Sequence, residues 1–258
     1  MTRPRLLLVE DDASIRRFVG MALEDHALDI VEAPRLASAI EALRGPPFAL
    51  VLCDLMLPDG NGLDLLHALA GPDSPSPHAR RVVFSAGVSA AVRVQLDQAG
   101  VHEVLSKPAS LAALEACVAR ALAAPTAAAL ASTPGWPAAP DGPAPHAPEQ
   151  RAAAAALNFF GGDLALYQTF LAQCRPQFRL DAAAGDLAAE RLDLQALRRL
   201  AHSVKSVLLT LGFDTDSGLA ARVEATAAAQ HAEAAWGLWP ALRARLLAQS
   251  DATPPGPD

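Results

Sequence analysis

At 258 residues, with 52% hydrophobic but only 5% aromatic content, the chain has room for one large domain or two small ones, each with its own core. A net charge of −7 argues against a nucleic-acid-binding surface and leaves protein partners or cations as the natural ligands. Three cysteines, Cys53, Cys117 and Cys174, lack metal-like spacing and lie in apolar patterns, so buried free thiols are expected. No apolar stretch reaches the roughly 18 uncharged residues of a membrane span, and Leu6–Val9 is too short for a signal-peptide core, so a cytoplasmic protein is expected.

In chain order, Leu6–Val9 reads as a buried strand, and Glu10, Asp11 and Asp12 open a helix through Ile15, Phe18, Val19 and Leu23 with Asp12 as its N-cap. A short strand near Leu28–Glu32 and a helix at Leu36, Ile40 and Leu43 follow, broken by Gly45-Pro46-Pro47. Phe48–Cys53 is an unbroken apolar run, as in a strand covered on both faces, and Asp54 ends it. Beyond it come a helix at Gly62–Ala70, a strand at Arg81–Phe84, a helix at Ser89–Gln98, a strand at Val101–Leu105 and a helix from Ser110 to Ala123. Five strands alternating with five helices in about 120 residues predict a doubly wound parallel sheet of α/β flavodoxin-like type. If its order is 2-1-3-4-5, the acids after the first and third strands converge on one crevice.

Carboxylates at Asp11, Asp12 and Asp54 repel one another unless something positive lies among them, and Mg²⁺ is the expected counter-charge. Asp54 is then a candidate nucleophile toward a phosphoryl group. Ser85 would donate a hydrogen bond to a phosphoryl oxygen, and Lys107 would supply a fixed cation. With these residues in place, 1–122 resembles the receiver domain of two-component response regulators, through the acids of VEDD, Asp54 in DLMLPDGNG, Ser85-Ala86 and Lys107-Pro108. The resemblance implies that Asp11, Asp12 and Asp54 bind Mg²⁺, that Asp54 accepts a phosphoryl group, and that Ser85 and Lys107 read it. Two positions depart from the family pattern. Val104 stands three residues before Lys107, where Tyr or Phe is common. Met56, two after Asp54, has no carboxylate or amide to position hydrolytic water, which predicts a long-lived acyl phosphate.

Residues 123–150 are rich in Ala and Pro and read as a flexible linker; about 28 residues of coil span on the order of 30 Å. Residues 151–250 carry helical periodicity at Leu164–Phe178, Leu192–Leu211, Leu219–Ala229 and Ala234–Leu247, punctuated by Gly212 and by Asp214–Ser217. These predict an all-α four-helix bundle, with 251–258 as a disordered tail. In Leu192–Leu211, residues Leu197, Leu200, Val204, Leu208 and Leu211 form the core stripe. At 100° per residue His202 falls nearly opposite, on an exposed face with Arg198, Lys205 and Leu209. Basic neighbours favour the neutral, nucleophilic imidazole. The run AHSVKSVLLTLGF resembles histidine phosphotransfer domains, which read His, two residues, Lys, Gly, then Gly ten after the His. His202, Lys205 and Gly212 match, and Ser206 replaces the first Gly. The resemblance implies a phosphorylatable His202 assisted by Lys205.

Together these predict a phosphorelay protein that exchanges phosphoryl groups through Asp54 and His202 and is not itself a kinase, since no P-loop or ATP-binding kinase sequence is evident. The expected partners are a sensor histidine kinase and other receiver or phosphotransfer proteins, with neither nucleic acid nor membrane. A rival reading makes the bundle a docking module, its binding regulated by Asp54 phosphorylation and His202 chemically idle, with Ser206 in place of Gly as the feature that favours it. A third, an Asp-nucleophile hydrolase, needs a general acid near Asp54 that Met56 cannot supply.

Overall fold

The computed structural model describes residues 3–71, 74–123 and 148–252. They form two compact units, the first containing all the described strands and the second made of helices.

The first unit contains β1 (Arg5–Val9), β2 (Asp29–Ala33), β3 (Leu50–Cys53), a two-residue hairpin pair β4 (Met56–Leu57) and β5 (Gly60–Asn61), β6 (Arg80–Ser85) and β7 (Glu103–Ser106). The main sheet is parallel with order β2-β1-β3-β6-β7. Leaving aside the hairpin, this is the expected 2-1-3-4-5 order. Helices α1 (Ala13–Ala22), α2 (Leu36–Leu43), α3 (Gly62–Ala70), α4 (Ala90–Gln98) and α5 (Leu111–Leu122) alternate with the sheet strands. Leu6 to Val9 and Leu50 to Cys53 are buried throughout, which is why their sequences run apolar without alternation. The expected N-caps Asp12 and Ser110 are in place, their side chains accepting from Ser14 and Ile15 and from Ala113.

The register delivers polar residues to one end of the sheet. Val9 pairs with Cys53, and the ladder runs one step further, the Asp54 N–H donating to the Val9 carbonyl at 2.8 Å. At the other side Ser85 pairs with Ser106, and the Lys107 N–H donates to the Ser85 carbonyl at 3.0 Å. Glu10, Asp54 and Lys107 are thereby held by backbone hydrogen bonds at the carboxyl ends of β1, β3 and β7. β1 and β3 flank the point where the strand order reverses, the place where open α/β sheets bind ligands.

The second unit holds α6 (Pro148–Phe159), α7 (Leu164–Glu190), α8 (Leu194–Thr210), α9 (Asp214–Ala228) and α10 (Ala232–Asp251). Four of these are the expected bundle. The fifth, α6, begins within the segment expected to be linker and has no stripe of large aliphatics; its alanines supply helix propensity instead. Linker residues 124–147 and tail residues 253–258 lie outside the described residues. Asp214–Ser217, expected as punctuation, is the first turn of α9, where Asp214 and Asp216 favour the positive end of the helix dipole. α8 does stop at Gly212, whose φ of +74° is left-handed. The Phe213 N–H reaches the Leu208 carbonyl at 2.8 Å and the Gly212 N–H the Leu209 carbonyl at 3.0 Å, so the last carbonyls are satisfied by a Schellman closure. α7 and α10 are joined where Trp239 donates to Asp186 at 3.1 Å, its ring lying over Gly185, where a Cβ would come within 2.1 Å of it.

Candidate functional site

In the first unit Lys107 is 7% exposed and its ammonium lies 2.5 Å from both Asp54 Oδ2 and Glu10 Oε2. Asp54 and Glu10 are each 1% exposed. The other Asp54 oxygen accepts from the Met56 N–H at 3.2 Å, so the carboxylate is held at both ends. Asp11 completes a group in which one oxygen from each of Glu10, Asp11 and Asp54 lies within 4.8 Å of the others.

Three carboxylates around one ammonium leave an excess of negative charge. Burial raises Glu10 well above the carboxylate range; Lys107 pulls the other way, and the neighbouring Asp54 and Asp11 charges add to the rise. Asp11 is pushed up to about 6, by burial first and by Asp54 and Asp12 next, against Lys107. Burial alone would lower Lys107, but Asp54 and Glu10 overcome it and hold the amine above its usual value.

The trio differs from the expected one by a single member. Asp12 was grouped with the cation ligands, but its Oδ1 accepts from the backbone N–H groups of Ser14 at 2.7 Å and Ile15 at 3.1 Å, fastening it to the start of α1. Glu10 takes its place, because it directly follows β1 and points to the same end as Asp54. Both roles of Asp12, cap and ligand, were readable in the sequence, and the helix N-terminus claims the side chain. Ser85 is buried at the end of β6 but makes no hydrogen bond to the Asp54 carboxylate among the described residues. Val104, on β7, is half-buried against the hydrophobic core.

The loop after Asp54 is held from two directions. Asp59 Oδ1 and Oδ2 accept from the Leu36 and Ala37 N–H groups at 2.7 and 2.9 Å, capping α2, which keeps the Asp59 carboxyl below its usual range. Gly62 passes so close that a Cβ there would lie 2.0 Å from the Asp54 carbonyl oxygen and 2.8 Å from Cys53 Sγ. Gly62→Ala is expected to destabilise the first unit by about 2–3 kcal/mol, since backbone must shift to admit the methyl. A urea midpoint unchanged from wild type would refute this.

In the second unit His202 is not exposed as expected; it is 8% exposed. α9 packs over the face of α8 opposite the core stripe, where Ser217 donates to the Lys205 carbonyl at 2.9 Å. Glu224 of α9 lies 2.7 Å from His202 Nδ1 through one oxygen and accepts from Lys205 Nζ at 2.6 Å through the other. Burial would raise the Glu224 carboxyl, but the hydrogen bonds and charges of His202 and Lys205 pull it down to about 2. In a neutral imidazole, the Glu224 carboxylate facing Nδ1 favours the tautomer that has its proton on Nδ1 and its lone pair on Nε2. Leu209 is half-buried, and Leu200 of the expected core stripe is half-buried while Leu197, Val204, Leu208 and Leu211 are sealed in.

Comparison with known proteins places both arrangements. The family model described as the response regulator receiver domain matches residues 6–119, and the Hpt domain model matches 165–252. Response regulator receiver protein CpdR of Brucella abortus is 34% identical over 105 residues, 40% of this chain and 84% of that protein. The chain belongs to the response regulator receiver family. Its receiver is followed by an Hpt domain. Response regulator protein PilR of Pseudomonas aeruginosa is 35% identical over 122 residues, 47% of this chain but 27% of that protein. A probable transcriptional regulatory protein of Picosynechococcus is 35% identical over 122 residues, 45% of this chain and 47% of that protein. The chain thus spans less than half the length of these two relatives.

The receiver supplies Asp54 and Lys107 where the sequence expected them, and the Hpt domain brings His202 and Lys205 to one carboxylate. That carboxylate, Glu224, was missed: it lies 22 residues beyond His202 on another helix, and no local pattern marks it. Glu10 was missed for the opposite reason, standing beside two other acids that looked equivalent. Among the described residues no helix is long and apolar enough to cross a membrane; Cys53, Cys117 and Cys174 are buried and in no disulfide, as expected.

Proposed function

We propose that this two-component phosphorelay protein takes a phosphoryl group on Asp54 of the receiver and exchanges phosphoryl groups through His202 Nε2 of the Hpt domain. The observation that carries the proposal is the buried cluster in which Lys107 contacts Asp54 and Glu10, each at 2.5 Å. An Asp54 oxygen attacks the phosphorus of a phosphohistidine on a partner protein; the O–P bond forms, the N–P bond breaks, and the imidazole nitrogen leaves with the electron pair. Lys107, already drawn to Asp54, meets the negative charge of the incoming group. The cluster's residues fit a divalent cation: their oxygens converge within 4.8 Å, and burial with mutual repulsion lifts Glu10 and Asp11, the mark of a site short of positive charge. Asp11, Asp54 and Glu10 would hold Mg²⁺, which would neutralise charge on the phosphoryl group. In the Hpt domain Glu224 orients the imidazole and leaves Nε2 free of its proton, while Lys205 holds Glu224 in place.

The partners this chemistry calls for are a sensor histidine kinase and other receiver or phosphotransfer proteins, and a cytoplasmic location suits them. The test is phosphoryl transfer from a labelled kinase to the full chain, comparing wild type, Asp54→Asn and His202→Gln, with the acid and alkali lability of the label. Label on both residues, alkali-stable at His202 and alkali-labile at Asp54, is expected. Label on Asp54 alone, with a panel of phosphorylated receivers also offered to His202, would overturn the His202 role.

Met56 bears on the lifetime of the acyl phosphate. Its thioether is a weak acceptor and cannot orient water as an amide does. Met56→Asn is expected to speed loss of phosphate from Asp54 by about tenfold, within the range of one positioned polar group. An unchanged half-life would remove this role.

A further inference from the structure

The loop that joins β1 to α1 carries two of the three carboxylates of the acid cluster, Glu10 and Asp11, and its successive peptide planes are all held. The Glu10 N–H donates to the Ala33 carbonyl at 3.1 Å, carrying the β1–β2 ladder one residue further. The next two carbonyls, those of Glu10 and Asp11, both accept from one nitrogen, Nη1 of Arg16, at 2.8 and 2.9 Å. Beyond them Asp12 is fastened to the start of α1 by its cap hydrogen bonds. The direction in which a side chain leaves the backbone follows from φ and ψ, the rotations that relate the two peptide planes flanking its Cα. Both planes beside Glu10 and both beside Asp11 are pinned, so the directions of these two side chains are pinned with them.

Arginine suits this task because its planar guanidinium carries five N–H donors and no acceptor, and can serve two carbonyls and a carboxylate at once. The third partner is Glu32 of β2, which accepts from Arg16 Nε at 2.9 Å. The Arg16 side chain is 17% exposed against 52% for Glu32, so the bonds to the loop are shielded while the counter-charge sits at the rim. Hydrogen bonds from a charged donor are the stronger kind. Glu32 also offsets the guanidinium charge, so the loop is held without adding an uncompensated cation. Lys107, by contrast, meets the carboxylates themselves.

We propose that Arg16 is a positioning residue of the cation site, clamping the Glu10–Asp11 loop so that both carboxylates stay turned toward Asp54 at the spacing a divalent cation needs. The inference rests on the cation reading of this cluster for its purpose. Three carboxylate oxygens within 4.8 Å of one another repel, and a loose loop would relieve the repulsion by turning Asp11, the least buried of the three, toward water. The two carbonyl bonds oppose that rotation. The ligands are thereby kept in place before the cation arrives, and less of its binding energy goes into ordering them.

Mg²⁺ binding to the full chain is measured by titration calorimetry, and hydrogen exchange of peptides spanning residues 9–15 is followed in EDTA, for wild type, Arg16→Gln, Arg16→Lys and Arg5→Gln. Arg5 is the matched control: its Nε pairs with Asp29 Oδ2 at 3.1 Å, linking β1 to β2 as Arg16 links the loop to β2, but at the opposite end of the strands. Expected is a fall in Mg²⁺ affinity of about tenfold in Arg16→Gln and about threefold in Arg16→Lys, which keeps the charge and loses the fork. Arg5→Gln should stay within about twofold of wild type, and exchange at 9–15 should quicken in the Arg16 variants only. The urea midpoint in EDTA is expected to fall in Arg16→Gln and Arg5→Gln alike, so affinity and not stability separates a positioning role from a merely structural one. Affinity within about twofold of wild type in both Arg16 variants, or a loss in Arg5→Gln as large as that in Arg16→Gln, would overturn the clamp. Should Arg16→Gln not fold, Arg16→Lys against Arg5→Gln decides by the same comparison. If wild type binds no Mg²⁺ while exchange at 9–15 quickens in the Arg16 variants alone, the clamp on the loop stands and the cation reading fails. Exchange indifferent to residue 16 would overturn the clamp whatever the calorimetry shows.

Discussion

Asp54→Asn is expected to abolish phosphorylation of the receiver and, in the absence of divalent cations, to make that domain more stable. Asp54 contributes one attraction, its 2.5 Å contact with Lys107, and two repulsions, from Glu10 and Asp11. At an effective dielectric near 20 the 2.5 Å contact is worth about 7 kcal/mol and each repulsion, at up to 4.8 Å, about 3–4 kcal/mol, so the charge–charge energies roughly cancel and the cost of burying the carboxylate decides the balance. The amide keeps the shape of the side chain, and Lys107 keeps Glu10 as its partner at 2.5 Å. A net gain of about 1–2 kcal/mol is the expected balance, within the range seen when buried charges are neutralised. Mg²⁺ should narrow or invert the difference, because a ligand that binds only the folded state stabilises it in proportion to its affinity, and the variant has lost one of three carboxylates. Urea unfolding in EDTA and in Mg²⁺ measures both. A variant less stable than wild type in EDTA would mean that the Lys107 pair dominates the cluster.

Glu224→Ala is expected to slow phosphoryl transfer to His202 by about a hundredfold, through loss of tautomer control and of the ring's orientation. Nδ1 and Nε2 would then share the proton, and Lys205 would lose the carboxylate it meets at 2.6 Å. Glu224→Gln should fall between, since an amide oxygen still accepts from Nδ1. The same residue predicts an acid response. Its carboxyl titrates at about 2 when folded against 4.5 ordinarily, a lowered value, so its stabilisation is present above pH 4.5 and is lost as pH falls toward 2. The unfolding free energy of the Hpt domain, followed by tryptophan fluorescence, should decline over that window in wild type and decline less in Glu224→Gln. Identical profiles would assign the acid sensitivity to other groups.

His202 shows most clearly where reading along the chain stops. The 100° count placed it opposite the core stripe, and that placement is right. What the count cannot supply is whether a second helix covers the other side. α9 does, so the residue is 8% exposed and its charge partner comes from 22 positions away. Asp12 shows a different limit: one side chain had two competing uses, and only the geometry of the first turn of α1 decides between them. From the sequence the linker ends at 150 and no helix is assigned before Leu164, because an alanine run without large aliphatics marks no core stripe; α6 nonetheless lies against the Gly212 corner, where a Cβ on Gly212 would come within 3.2 Å of Ala155.

The sequence by itself determined the alternation of strands and helices, the position of Asp54 and Lys107 at strand ends, the stop at Gly212 and the helical character of the second half. These are local matters: apolar runs, caps and chain breakers act over a few residues and are written in order. The tertiary structure alone decided which acid joins Asp54 and Asp11 and which carboxylate holds His202. Those depend on strand register and on one helix packing over another, and burial and electrostatic pairing follow distance in space rather than separation along the chain.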